Sequence, residues 1–318
     1  MKHSVHYIAV AALVAACTTH AAETLTAVAD KDGIGAKTAE TVLSWRTSPA
    51  ALTGNFAKFS TSGYFQSLRT PSGFELLDVH PADHPHHCGL WWPWKYIEVN
   101  GKKHNTWEVQ EDQGAHVAKS AKQIPTDKDD LKWELACESI VKSPEAEVST
   151  AILETSTISL TDVSPDTRVL DIDIQQKAAS APVTIVNYRY SGFSWRGPAS
   201  WQKENSTMTT SGGKNRDNAN GTPARWVVVS GSTPKGMASM LIMSAASKIA
   251  GTEENLRVWD SKNRNGTPFV NFNPVMNKPL PLDEKTPAVT HRKYRVIAAD
   301  RVIDAAGAEA AWQEWTQK

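Results

Sequence analysis

Four histidines and three tryptophans lie close together in residues 80–94, the segment HPADHPHHCGLWWPW. A neutral imidazole can take up or release a proton near neutral pH, because its unperturbed pKa is about 6.5. Imidazoles also bind metal ions, and together with indole rings they line clefts that bind sugars. Because so many polar rings need partners when buried, the segment predicts a functional site around His84, His86 and His87.

Two catalytic interpretations fit this segment, whose three prolines exclude a helix. On an extended chain, the side chains of His84 and His86 lie on one face and that of His87 on the other. His84 and His86 would then share a divalent metal ion with a distant carboxylate such as Glu108. Alternatively, one histidine acts as a general acid or base opposite Glu108, and Asp83 fixes its tautomer.

A third interpretation is a sugar-binding cleft in which the tryptophans pack against the C–H faces of a saccharide. The candidates for this role are Trp91, Trp92 and Trp94. The alternative without function is a folded loop whose histidines are held by structural hydrogen bonds. Two further histidines, His104 and His116, are expected at the surface.

A second group of polar and aromatic residues follows later in the chain. It contains Tyr190 and Arg196, and then Arg225 and Trp226. The guanidinium group presents a fork of donors that suits carboxylates, including those of uronate sugars, and it stacks on aromatic rings. We expect Arg196 to act in the site, since it lies between Trp195 and a glycine at a strand end, and we expect the other three to bind substrate.

The elements that must position these residues are mainly strands. Alternating runs rich in β-branched residues predict strands, and the Asn100-Gly101 pair predicts a tight hairpin. Only residues 304–318 have a helical pattern. We therefore predict an all-β fold, a large antiparallel β-sandwich with few helices and one of them at the C-terminus. The strand predictions cover residues 148–160, 169–175, 183–190, 226–229, 237–243 and 294–298.

Composition excludes several classes of protein. Lysine and arginine number 34 against 34 aspartate and glutamate, with a pI near 7.2, so the chain lacks the positive charge that nucleic acid binding needs. No Cys-x-x-Cys or Gly-x-Ser-x-Gly motif occurs. No repeat and no shift in composition divides the sequence, so residues 23–318 are predicted to form a single domain.

The first residues are typical of an export signal, with a charged start and a short apolar run. Two ends fit: residues 1–22 for ordinary cleavage, or residues 1–16 with a lipid anchor on Cys17. The prediction is an exported protein of the periplasm or an outer-membrane lipoprotein, without a membrane-spanning segment. In that oxidising compartment Cys88 and Cys137 would either pair or remain buried thiols.

The string DHPHHCGLW, followed by VNG at residues 99–101 and by Trp107-Glu108, resembles a bacterial family labelled methane oxygenase PmoA. Cys88 stands where that family usually has arginine. The resemblance implies an exported protein that is often associated with glycan breakdown. A weaker similarity is to the galactose mutarotase-like supersandwich, in which a histidine donates a proton and a carboxylate removes one. It implies those roles for His84 or His86 and for Glu108.

We therefore predict an exported carbohydrate-active protein that acts by acid–base chemistry on a saccharide, as an isomerase, lyase or hydrolase. The predicted reactions are epimerisation, elimination and glycosidic cleavage, and they require no cofactor. One alternative is a metal-dependent enzyme whose divalent ion binds to His84, His86 and Glu108. The other alternative is a non-catalytic glycan-binding lipoprotein.

Overall fold

Long antiparallel strands form because apolar and polar residues alternate along them, so that one face of each strand is buried. The structure, a computed structural model, describes residues 24–128, 130–145, 147–245, 254–282 and 291–317. The strands, in chain order, are β1 (Thr26–Ala29), β2 (Gly33–Lys37), β3 (Thr41–Arg46), β4 (Tyr64–Leu68), β5 (Leu90–Trp91), β6 (Tyr96–Val99), β7 (Lys102–Asn105), β8 (Gly114–Ile124), β9 (Leu131–Lys142), β10 (Val148–Ser164), β11 (Thr167–Ala178), β12 (Val183–Ile185), β13 (Phe193–Arg196), β14 (Ser206–Thr210), β15 (Trp226–Thr233), β16 (Gly236–Ser244), β17 (Asn255–Val258), β18 (Phe269–Asn273), β19 (Leu280–Leu282) and β20 (His291–Ala299). The described helices are α1 (Ala305–Thr316) and the short 3₁₀ helices Gly54–Phe59, Val109–Glu111 and Asn263–Gly266.

These strands form two large sheets and one small one. The first sheet has the order β1-β2-β3-β4-β5-β13-β18-β17, and the second has the order β14-β15-β16-β20-β11-β10-β9-β8. The small sheet has the order β19-β12-β6-β7. All strand pairs of the described residues are antiparallel, and sequence-distant strands such as β5 and β13 lie side by side.

The main hydrophobic core lies between the two large sheets. Phe193 of the first sheet stacks on Tyr294 of the second, with ring centroids 4.0 Å apart. Trp92, just after β5, stacks on Trp45 at 5.1 Å and has no exposed surface. Burial of such large rings is the main source of favourable folding free energy here.

Consecutive residues of β5, in the first sheet, point to opposite faces of that sheet. Leu90 belongs to the main core, whereas Trp91 belongs to a separate apolar cluster with Trp107, Trp259 and Phe269. Strand pleating places successive side chains on opposite faces. This second cluster forms the floor on which the candidate site is built.

The prediction of an all-β antiparallel sandwich with a C-terminal helix is confirmed. The predicted hairpin is also confirmed: Asn100 and Gly101 have φ of 51° and 74° between β6 and β7, as a type I′ turn requires. Of the two states considered for the cysteines, both Cys88 and Cys137 are buried free thiols.

The surface placement of His104 and His116 is wrong, because both are buried, at 9% and 5% exposure. His116 lies on β8, where a polar sequence context hid the inward direction of its side chain. The predicted export signal and Cys17 lie outside the described residues. Within the described ranges, no helix is long and apolar enough to cross a membrane.

Replacing Asp304 by alanine tests how α1 is held. The Asp304 side chain accepts a hydrogen bond from the Gly307 N–H at 2.8 Å and so caps the helix. We expect Asp304→Ala to lower the free energy of unfolding by about 1 kcal/mol, measured by urea denaturation. The Asp304→Asn variant keeps a capping oxygen, so its free energy of unfolding should fall by only a few tenths of that amount. An equal loss in both variants would contradict a role for the cap.

Candidate functional site

The histidine segment forms a tight loop between β4 and β5. His80 has a left-handed backbone, with φ of 52°, and its N–H donates to the His87 carbonyl at 2.8 Å. The His80 ring is fixed at both nitrogens, which lie 2.6 Å from the Pro85 carbonyl and 3.1 Å from the Tyr64 hydroxyl. His80 therefore holds the loop and has no free nitrogen for a ligand.

The remaining three histidine rings of the loop form a cluster. The centroids of His84 and His87 are 4.8 Å apart, those of His86 and His87 are 4.9 Å apart, and those of His84 and His86 are 5.6 Å apart. The expectation that His87 points away from the other two is wrong, because two turns replace the extended backbone assumed from the sequence. His87 is buried and stacks on Phe269 at 4.9 Å.

Arg196 is buried under the histidine loop and binds it through Asp83. Its Nη2 contacts both oxygens of Asp83, at 3.2 and 3.1 Å, and its guanidinium lies 4.4 Å from the ring of Trp259. Asp83 Oδ2 in turn lies 3.2 Å from His84 Nδ1. Only 3% of Arg196 is exposed, so the residue predicted to be catalytic positions Asp83 and His84 and does not line the cleft.

Glu108 is held by three donors. The ammonium group of Lys95 and the Asn105 amide contact one oxygen, and the Tyr190 hydroxyl donates to the other at 2.8 Å. Burial raises the pKa of Glu108, but the hydrogen bonds from Lys95 and Tyr190 outweigh it and lower the pKa to about 2. Glu108 is therefore ionised at every physiological pH and is a weak proton acceptor, and the ammonium group of Lys95 balances its negative charge.

His86 has the opposite character. Burial lowers its pKa to about 4, although the charge of Glu108 acts to raise it, so the ring is neutral near pH 7. In the described part of the chain neither ring nitrogen has a hydrogen-bond partner, and the ring lines the cleft. Burial also lowers the pKa of His84, against the opposing effect of Asp83. The loop thus presents neutral imidazoles.

The cleft above these residues has a volume of about 540 Å³. Four cationic side chains, Arg189, Arg257, Lys262 and Arg264, line it together with one carboxylate, Glu108. Burial lowers the pKa of Arg257, and the nearby charge of Arg189 lowers it further. The remaining lining residues are His84, His86, His87, Tyr190, Trp259, Asn263 and Phe269.

Several residues predicted to bind substrate lie elsewhere. Trp91 is buried under the loop, and Trp92 and Trp94 have no exposed surface and belong to two hydrophobic cores. Arg225 and Trp226 both bind Glu309 of α1, and Trp226 belongs to the apolar cluster that includes residues of this helix. The structure therefore brings together His84, His86, His87, Glu108 and Tyr190.

The sequence predictions did not include one wall of the cleft, which is formed by β17, the segment after it and the start of β18. This wall contributes two aromatic rings and three cations to the cleft. The signal was the basic and aromatic run RVWDSKNRNG at residues 257–266, whose position in space depends on pairing between β17 and β18. The residues concerned are Arg257, Trp259, Lys262, Arg264 and, on β18, Phe269.

The predicted metal set of His84, His86 and Glu108 has poor ligand geometry. The buried ammonium group of Lys95 already supplies the counter-charge of Glu108, and it would repel a divalent ion bound to the same carboxylate. Among the residues that the structure describes, a different set of three buried side chains brings its ligand atoms within 4.8 Å of one another.

A sequence model of the family described as "Family of unknown function (DUF6807)" matches residues 37–313. No curated protein matches the sequence. The crystal structure of a GalM/aldose epimerase homologue from C. elegans has a TM-score of 0.31 and 6% identity, over 87% of this chain and 98% of that chain. A likeness at this level supports no conclusion about function. The methane-oxygenase label remains a resemblance of the motif.

Replacing Glu108 by glutamine tests its ionisation. A carboxyl group whose pKa is lowered on folding stabilises the fold above its ordinary pKa, and this contribution is lost as the pH falls through the lowered value. We expect Glu108→Gln to lower the free energy of unfolding at pH 7, and the gap to wild type to shrink between pH 4.5 and about 2. Urea denaturation at a series of pH values measures this gap.

The matched control is Glu98→Gln, since Glu98 is an exposed carboxylate on β6. We expect its free energy of unfolding to follow wild type within about 0.5 kcal/mol. A gap for Glu108→Gln that stays constant from pH 7 to the acid end would show that Glu108 does not titrate at a lowered pKa.

Proposed function

The chain belongs to DUF6807, a family of unknown function, and we propose from its own cleft that it binds an acidic saccharide and removes a proton from it. The observation that carries this proposal is a group of four cations that line the cleft with His86, three of which form no ion pair among the described residues. The substrate class is a uronate-containing oligosaccharide, and the reaction class is epimerisation or elimination next to the carboxylate.

The charges of the cleft favour an anionic ligand. Among the described residues, no carboxylate lies within ion-pair distance of Arg189, Arg257 or Lys262, and Arg264 contacts Asp83 at 3.3 Å. Arg189 and Arg257 repel each other across the cleft wall. A ligand carboxylate between the two guanidinium groups would relieve this repulsion and accept their forked donors.

The aromatic rings favour a sugar as the carrier of that carboxylate. Trp259 and Phe269 lie at the base of the cleft, with ring centroids 5.2 Å apart, and His84 lies 4.9 Å from Trp259. Such rings pack against C–H groups, whereas hydroxyl groups need polar neighbours. The Asn263 amide and the Tyr190 hydroxyl also line the cleft and supply these neighbours.

His86 is the candidate base. Pairing of a uronate carboxylate with guanidinium groups makes the hydrogen on the adjacent carbon more acidic, and a neutral imidazole can accept it. The bound carboxylate adds negative charge beside His86, which raises its pKa towards the working range. His84 lies beside His86, and Asp83 acts to raise its pKa. The carboxylate of a bound uronate would raise this pKa further, so that His84 takes up a proton from water in the complex. The resulting imidazolium is the candidate to donate that proton to the leaving oxygen or to the opposite face of the carbanion.

The glycan-binding alternative without catalysis has support from Glu108. A carboxylate paired with Lys95 and Tyr190, with a pKa of about 2, is too weak a base to be the proton acceptor that the similarity to the mutarotase-like fold implies for Glu108. In that case the cleft would bind the same acidic saccharide without turnover. Export is also part of this proposal, either to the periplasm or as an outer-membrane lipoprotein anchored at Cys17.

Exchange of the substrate hydrogen in deuterated water tests the reaction. Incubation with oligosaccharides of glucuronate, mannuronate or galacturonate should introduce deuterium next to the carboxylate if the reaction is epimerisation, and should give an unsaturated uronate product if it is elimination. Mass spectrometry measures both outcomes. We expect His86→Ala to lower the rate by about 10²–10⁴-fold with little change in affinity. For wild type, kcat/KM should fall as the pH drops below about 4, because protonated His86 cannot act as a base.

Binding measurements provide the control. Arg257→Gln should weaken binding of the acidic oligosaccharide by at least tenfold and leave binding of a neutral one unchanged, while Lys122→Gln on an exposed part of β8 should change neither. Binding of a uronate with neither deuterium exchange nor formation of an unsaturated product would establish the non-catalytic alternative. Equal affinity for neutral and acidic sugars would contradict the whole proposal.

A further inference from the structure

A second polar cluster lies in the core, away from the walls of the cleft. His116, Cys137 and Glu154 occur on the adjacent strands β8, β9 and β10, and Cys137 is directly opposite Glu154 in the strand register. One ligand atom from each residue lies within 4.8 Å of the other two. We propose that these three side chains bind a transition-metal dication of the zinc class.

The carboxylate of Glu154 lacks a cation. It is 3% exposed, and its oxygens accept hydrogen bonds from three neutral donors: Trp92 and Ser156, each at 2.8 Å, and Gln176 at 2.7 Å. No lysine, arginine or histidine in the described ranges forms an ion pair with it. An ionised carboxylate in the core requires a counter-charge, and a bound dication would provide it.

The ring of His116 has no hydrogen-bond partner among the described residues. Both ring nitrogens are buried and unpaired in the described part of the chain. Buried polar groups nearly always have a partner, so two orphaned nitrogens on one ring are unusual. Ligation through one nitrogen would satisfy it, and the thiolate of Cys137 would supply the sulfur ligand that zinc prefers over calcium or magnesium.

The three donors around Glu154 resemble the outer shell of a metal site. Hydrogen bonds from Trp92, Ser156 and Gln176 fix the direction of the carboxylate, as partners of metal ligands generally do. Arg292 approaches this row only through Gln176, with its Nη2 3.5 Å from the Gln176 Oε1. Its guanidinium lies over Trp94 at 4.5 Å and does not reach Glu154.

A small cavity offers room for a fourth ligand. It has a volume of about 20 Å³, and both His116 and His86 of the cleft line it, together with Cys88 and Trp91. Such a volume holds about one water molecule. Three protein ligands and one water give the four-coordinate arrangement of many zinc enzymes. His86 lines both this cavity and the cleft, whereas His116 lines the cavity only.

Cobalt(II) titration of the full chain, stripped with a chelator, tests the site. One equivalent should bind and produce the ultraviolet charge-transfer band of a cobalt–thiolate bond. We expect Cys137→Ser to abolish the band and His116→Gln to weaken binding at least tenfold. His104→Gln replaces a buried histidine of β7 that belongs to neither the cluster nor the lining of the cavity, and this variant should bind as wild type does. Circular dichroism establishes that each variant is folded.

Protection of the thiols from alkylation gives a second measurement that needs no variant. When the wild-type protein is briefly and partially denatured, bound zinc should strongly protect the Cys137 thiol from alkylation. The protection of the Cys88 thiol should change little. Mass spectrometry of the labelled peptides measures both. Cobalt or zinc binding by Cys137→Ser with the affinity of wild type would overturn the proposal. So would a folded wild-type chain that binds neither metal.

Discussion

The contact between Lys95 and Glu108 is the interaction on which the site depends. Lys95 is 1% exposed and lies among the rings of Tyr96, Tyr188 and Tyr190, where an ammonium group without a counter-ion would cost several kcal/mol. Glu108 provides the counter-charge and is thereby kept ionised. The Tyr190 hydroxyl donates to the same carboxylate, so one ion pair fixes the positions of both Glu108 and Tyr190 in the lining of the cleft.

The other side of the cleft depends on a second set of paired charges. Arg196 holds Asp83 with one nitrogen, and Asp83 holds the turn that carries His84 and His86. The buried arginine therefore acts through the loop, although its residue type first indicated a direct contact with substrate. With these charges satisfied internally, the unpaired Arg189 and Arg257 remain for a ligand. Neutral imidazoles and surplus cations in one cleft form the basis of the proposed chemistry.

Local patterns predicted β10, β11, β15, β16, β20, the hairpin of β6 and β7 and the C-terminal helix, whereas the strand predicted over residues 183–190 ends at Ile185. They also indicated the histidine loop as the candidate site, and the roles of its residues stay predictions. Strand alternation, the Asn100-Gly101 turn and the helical pattern after Asp304 depend on neighbours in sequence. Burial of a side chain and pairing between distant strands do not depend on neighbours in sequence alone. Trp92 fills a core because β5 lies between β4 and β13, and the cationic wall at Arg257 reaches the histidines because β17 pairs with β18. His116 was misplaced for the same reason, since the face of an edge strand is set by the sheet it joins.

The central claim is that the cleft recognises a carboxylate on a sugar ring and presents it to His86. A crystal structure of the chain soaked with a hexuronate oligosaccharide tests this most directly. The account predicts a carboxylate bound between the guanidinium groups of Arg189 and Arg257, with the adjacent carbon within proton-transfer distance of a His86 nitrogen. A sugar bound on another face, or a carboxylate that contacts neither arginine, would contradict it.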